Sequence, residues 1–306
     1  MASEISLPRS MPFFPAQTPS RRLSVALGLV GIGLLVLWLP VHATLPLGRD
    51  QAIISRVAQI LLQGGWPYVD AWDHKGPATY LLYAPMLWLF GTGEHALYQA
   101  DIAMLLLVFA ASRSIGVSIG RHWMGGLGLL GAILFVRNDY WTFAQPDLWI
   151  GYLVLGVTSL LVRPNTGASR ATLLLAGAVI GFATLVKPVF AVLLALPLAR
   201  VWFDRETHRP VLLTGACVAS FGATMIAIVL PFVVSGHGAA LYEAVVVFNL
   251  GGHLAQTWDE PGAVVLRFIV VFTMPGAEPG TLPLLLIAGL GARDLLRTHR
   301  RIASIL

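Results

Sequence analysis

An all-α, polytopic membrane protein is the fold class this sequence predicts, on three observations. Of 306 residues, 57% are hydrophobic and only 11% are charged. The mean hydropathy is +0.76. Long apolar runs recur along the chain, separated by short segments that carry arginine. A soluble domain of this length needs more polar side chains to cover its surface, whereas a bilayer solvates such helices directly.

Residues 1–22 are rich in Pro and Ser and are expected to form a disordered cytoplasmic tail ending at Arg21-Arg22. The apolar stretch from Leu23 to Leu47 is too long for a signal-peptide core, and no good cleavage site follows Val41. It reads as a retained anchor helix. About eight spans are expected, at 23–46, 97–119, 123–138, 147–162, 171–186, 188–203, 211–235 and 281–296. Several fall short of the ~20 residues of a straight crossing, which tilt or local thinning accommodates. Two further apolar stretches, 77–91 and 263–275, either cross or lie along the surface as interfacial helices.

Charge decides between those options. With both stretches outside and the N-terminus cytoplasmic, the inner segments hold fourteen of the twenty basic residues and four acids. The outer side then holds six basic residues and eleven acids. The positive-inside rule favours this orientation. It creates two long outer loops, 48–96 and 236–280. The net charge of +5 has no basic patch with interleaved aromatics, so a nucleic-acid partner is not expected. Cys217 is the one cysteine, which excludes an intramolecular disulfide. After Arg300-Arg301 a new apolar run begins and stops at Leu306, as expected of a C-terminally truncated chain.

The first outer loop carries most of the polar chemistry. Asp50 lies just beyond the first span, where a partly desolvated carboxylate can serve as a general base. It also precedes a helical pattern, so an N-cap is the competing role. Asp147 follows Pro146 and opens a span from the same side, again with capping as the alternative. Asp139 is a third acid nearby. Lys75 and Lys187 are the only lysines, both expected at the outer face as Lys75-Gly76-Pro77 and Lys187-Pro188. An ammonium there can hold a lipid phosphate, and Arg267 is a further phosphate ligand candidate. Tyr68, Trp72 and Asp73 are candidates to line a substrate. Aromatic residues in this loop also suit interfacial anchoring. His74, with His237 and His253, is the candidate metal site, although the spacing matches no compact motif. There is no P-loop, dinucleotide fingerprint, HExxH or GxSxG.

Gly48-Arg49-Asp50, a short helix, then Gly64-Gly65-Trp66-Pro67-Tyr68-Val69-Asp70-Ala71-Trp72-Asp73-His74-Lys75-Gly76-Pro77 resembles the first outer loop of the GT-C glycosyltransferases. The similarity is to the branch of protein mannosyltransferases and lipid A aminoarabinose transferases. Those enzymes commonly carry Asp-Glu after the first span and a later Lys-Pro-Pro. Here the pairs are Asp50-Gln51 and Lys75-Gly76-Pro77, one departure in each. Asp147 and Lys187-Pro188 also fall where the family has an outer-face Asp and a Lys-Pro. The resemblance covers residues 25–200 well and the remainder loosely.

The resemblance implies a GT-C-like bundle over 23–306, with interfacial helices in the first outer loop. It implies an inverting transferase in the bacterial inner membrane, acting on the periplasmic face. The donor would be a polyprenyl-phosphate-linked sugar, and the acceptor a lipid, glycan or protein. Asp50 would be the base and Asp147 would assist. Lys75 would bind the donor phosphate, helped by Lys187 or Arg267. No cofactor is expected beyond a divalent metal at His74. The competing classes are a polyprenyl-lipid or small-molecule transporter, which expects polar, broken helices at mid-bilayer, and a non-catalytic membrane subunit.

Overall fold

The computed structural model describes residues 21–42, 47–118, 120–121, 123–138, 143–163, 169–203 and 207–254. The stretches 263–275 and 281–296, with Asp139 and Arg267, lie outside the described residues, as does the side chain of His253. The described chain is all-α. Its helices are α1 (Arg21–His42), α2 (Arg49–Leu62), α3 (Pro77–Phe90), α4 (Glu94–Ser118) and α5 (Met124–Asn138). There follow α6 (Pro146–Leu161), α7 (Arg170–Val186), a 3-10 helix (Pro188–Leu194), α8 (Ala195–Phe203), α9 (Pro210–Val234) and α10 (Gly238–Tyr242). Two π-helical segments, Glu243–Val247 and Asn249–Leu254, come last.

Two helix starts differ from the capping roles weighed for Asp50 and Asp147. The N-cap positions are Gly48 and Gln145, and neither makes a side-chain cap bond. Asp50 and Asp147 instead occupy the first turns of α2 and α6. A carboxylate there still faces the positive helix end, but its oxygens are free for other partners. The 188–203 stretch also differs from a plain α-helix. Pro197 has no N–H to donate to the Leu193 carbonyl, and its ring would crowd that oxygen. The chain before it tightens into the 3-10 helix.

From α4 to α9 the helices alternate in direction. Arg163, just past the end of α6, reaches Ser114 Oγ near the end of α4 at 3.5 Å. The Nε of Arg200 in α8 donates to the Leu161 carbonyl at 2.9 Å. At the opposite end, the start of α6 meets the end of α7, where Lys187 binds Asp147. Arg113, Arg121, Arg163, Arg170, Arg200 and Arg209 thus gather toward one end of the helices, and both lysines stand at the other. This segregation follows from turns that return the chain after each helix from α4 to α9.

Close approach between α7 and α9 depends on Gly177 and Gly181, four residues apart on one face of α7. A methyl group on them would lie 2.2 Å from the Cys217 carbonyl oxygen and 2.6 Å from that of Phe221. Small residues at this spacing let helix backbones touch. The main buried core sits at the lysine end, around Ile54, Tyr80, Tyr83, Phe143 and Trp149. Two described helices, His95–Ser118 and Pro210–Val234, are long and apolar enough to cross a membrane. Apolar helices of 10–17 residues include Pro146–Leu161 and Arg170–Val186.

Candidate functional site

Four charged side chains named from the sequence meet as two ion pairs. Lys75 Nζ lies 3.2 Å from Asp50 Oδ2. Lys187 Nζ donates to Asp147 Oδ2. Both lysines of the chain are therefore engaged by the two acids expected to do chemistry. The pairs are open to their surroundings: Asp50 and Asp147 side chains are 37% and 47% exposed.

Backbone contacts tie the pairs together. A methyl group on Gly76 would lie 1.9 Å from the Leu185 carbonyl oxygen and 3.1 Å from that of Val186. Lys75 precedes this contact by one residue and Lys187 follows it by one. With 3.8 Å between consecutive Cα atoms, the two lysine Cα atoms are no more than about 11 Å apart. On the carboxylate side, Gln51 Nε2 donates to the Phe143 carbonyl at 2.7 Å. This joins the residue after Asp50 to the turn leading into Asp147. An ionised Glu could not donate here, which gives the Asp50-Gln51 departure from Asp-Glu a physical use.

Gly76 thus carries a testable load. The atom a methyl group would strike is backbone, so Gly76→Ala forces the first loop off α7. A loss of about 1–3 kcal/mol is expected from such overpacking. It should appear as a lower thermal unfolding midpoint in detergent.

The turn before α6 is clamped from three helices. Asp101 in α4 is buried and accepts from Ala144 N–H at 3.1 Å and from the Trp149 indole N–H. Tyr83 in α3 donates to the Ala144 carbonyl, and Gln51 in α2 holds Phe143. Ala144 has φ +50°. A non-glycine residue in the left-handed region needs such enclosure to stay there.

The first loop is braced in a comparable way. Tyr68 has φ +70°, outside the ordinary range for a bulky residue. Its N–H donates to the Ala71 carbonyl at 2.8 Å, and its hydroxyl donates to the Lys75 carbonyl at 2.7 Å. Tyr80 donates to Asp73 Oδ2 at 3.1 Å. Burial pushes both tyrosine hydroxyls well above their ordinary range, with the Asp73 charge adding to it. They remain protonated donors at any working pH. From the far side, Asn249 Nδ2 donates to the His74 carbonyl at 2.9 Å. Trp66 and Tyr68 both pack on Phe232 near the end of α9.

The expected substrate-lining residues therefore occupy different places. Tyr68 and Asp73 are buried and hold the loop behind Lys75. Trp72 is 57% exposed and meets Phe248 edge-on, with ring centroids 4.9 Å apart. His74 Nδ1 lies 3.4 Å from Asp73 Oδ1, while the His237 ring packs against Trp66. Among the described residues, no group of three or more His, Cys, Asp or Glu side chains converges as a metal site.

Asp101, Tyr83 and Asn249 were not singled out by sequence, and Gln51 only as the departure from Asp-Glu. For Asp101 there was a usable signal. It is the only acid in the apolar run 97–119, and an ionisable residue inside such a helix is costly unless it is partnered. Nothing in the local sequence marks Tyr83 or Asn249, or the contact that Gln51 makes.

An anion could sit on the two ammonium groups if the carboxylates gave way, and either carboxylate could then accept a proton. No family model, curated protein or solved structure matches this chain. Its chemistry is therefore argued from these four charged side chains and the loop motif that carries them.

Proposed function

We propose that the chain is an integral membrane glycosyltransferase of GT-C type, with its site at the outer face of a bacterial inner membrane. The observation that carries this reading is the pairing of Lys75 with Asp50 and of Lys187 with Asp147 at one end of the helices. Cations suited to a phosphate and acids suited to a hydroxyl proton stand together at a helix end, where a lipid headgroup would lie. Arginines at the opposite end support a cytoplasmic placement for that end. Several apolar side chains of α9, including Val211, Ile226, Leu230 and Val234, are left uncovered by the other described residues. Lipid would solvate them.

The donor in this reading is a polyprenyl-phosphate-linked sugar. Asp50 takes the proton of the acceptor hydroxyl as its oxygen attacks the anomeric carbon. The bond from that carbon to the phosphate oxygen breaks, and the polyprenyl phosphate leaves with the electron pair. The ammonium groups stabilise the negative charge it gains. Direct displacement inverts the sugar carbon and needs no covalent enzyme carboxylate. Trp72, exposed and three residues before Lys75, offers a ring on which a sugar could stack.

Membranes containing the full chain, given a radiolabelled polyprenyl-phosphate sugar, are expected to move label to an acceptor in a manner dependent on Asp50. Label that crosses the bilayer without changing its attachment would identify a lipid carrier instead. Neither transfer nor translocation would indicate a non-catalytic subunit.

A further inference from the structure

We infer that Asp50 and Asp147 hold the place of the donor's lipid-borne phosphate on Lys75 and Lys187 until that phosphate arrives. This rests on the glycosyltransferase reading and adds to it an order of events. The chain has two lysines, and each is bound to an acid in the first turn of a helix. The backbones behind the lysines are fixed. Lys75 has its carbonyl held by Tyr68, and Gly76 lies against Leu185 and Val186. The Lys187 N–H donates to the Ala183 carbonyl at 2.9 Å. The side chains beyond these anchors are free to change partner.

Both pairs are partly open, with lysine side chains 22% and 55% exposed. A partly exposed ion pair is held weakly, because water already satisfies much of each charge. A phosphate offers several oxygens to two ammonium groups at once, so exchange is favourable. Asp50 then loses the ammonium that occupies its Oδ2 and can accept from an acceptor hydroxyl. The donor therefore binds first and frees the base. Without a donor the base stays engaged, which protects the site from activating water.

The test is equilibrium binding of polyprenyl phosphate and of inorganic phosphate to the full chain in detergent. Asp50→Asn and Asp147→Asn should each bind polyprenyl phosphate about 2–5-fold tighter than wild type, because an exposed competitor is removed. Lys75→Ala should bind it more weakly. The gain from Asp50→Asn should vanish when Lys75→Ala is also present, since the two act through one interaction. A gain that persists in the Lys75→Ala background would come from general charge, and would overturn the exchange. Unchanged or weaker binding by both Asn variants would overturn it as well, while leaving the glycosyltransferase reading intact. Equal affinity for inorganic and polyprenyl phosphate would overturn the lipid source of the anion. A wild-type chain with no affinity for polyprenyl phosphate would overturn the inference and the function together.

Discussion

Asp50→Asn is expected to lower sugar transfer by about 10²–10⁴-fold, the usual contribution of a positioned general base. The substitution keeps the shape of the side chain and one oxygen for Lys75. What it removes is the capacity to take a proton. Its structural cost should be small. The Asp50–Lys75 pair is partly exposed, and such pairs contribute about 0–1 kcal/mol. Arg49, 3.8 Å away, is more exposed still. Transfer rate and thermal midpoint therefore separate: the first collapses and the second barely moves. A variant that retains the wild-type rate would remove Asp50 from the chemistry. One that loses both rate and midpoint would make Asp50 a structural residue.

The largest stability effect should come from Asp101→Ala. Truncation leaves the Ala144 N–H and the Trp149 indole N–H without their carboxylate acceptor. Both residues are fully buried. Each orphaned donor costs about 1–3 kcal/mol, so a loss of roughly 2–5 kcal/mol is expected. The left-handed Ala144 would then be held by Tyr83 without its second clamp. Asp147 follows three residues later, so its pairing with Lys187 should loosen and transfer should fall with stability. Asp101→Asn keeps one acceptor oxygen and turns an N–H toward the other donor, so it should lie between wild type and Ala. Thermal unfolding in detergent, run beside the transfer assay, reads both effects. A midpoint unchanged in both variants would show that the clamp carries no load.

These two aspartates differ in how legible they were. Asp50 announces itself as an acid between an apolar run and a helical pattern. Asp101 is one acid inside a continuous apolar helix, and its meaning depends on a turn forty-three residues away. Asp73 and Tyr68 show the reverse problem. A polar loop suggests exposed groups, yet both are buried and brace the chain behind Lys75. Composition cannot distinguish a loop that faces solvent from one that folds back on its own tyrosines. The 3-10 helix after Lys187 was readable in principle, because Pro188 and Pro197 are both visible and each removes a donor.

The sequence by itself determined the helical class, the approximate limits of the described helices, and which few residues carry charge among apolar neighbours. Those properties are local: hydropathy and periodicity act over tens of residues, and a lysine between two apolar runs must find a partner wherever the fold goes. Which partner it finds was decided by tertiary structure alone. Gln51 reaches Phe143 across 92 positions, and Gly76 meets Leu185 because only hydrogen fits between the two backbones. These contacts bring Asp50, Lys75, Asp147 and Lys187 to one end of the helices as two pairs. They depend on close packing between segments far apart in the chain, and no local pattern encodes that.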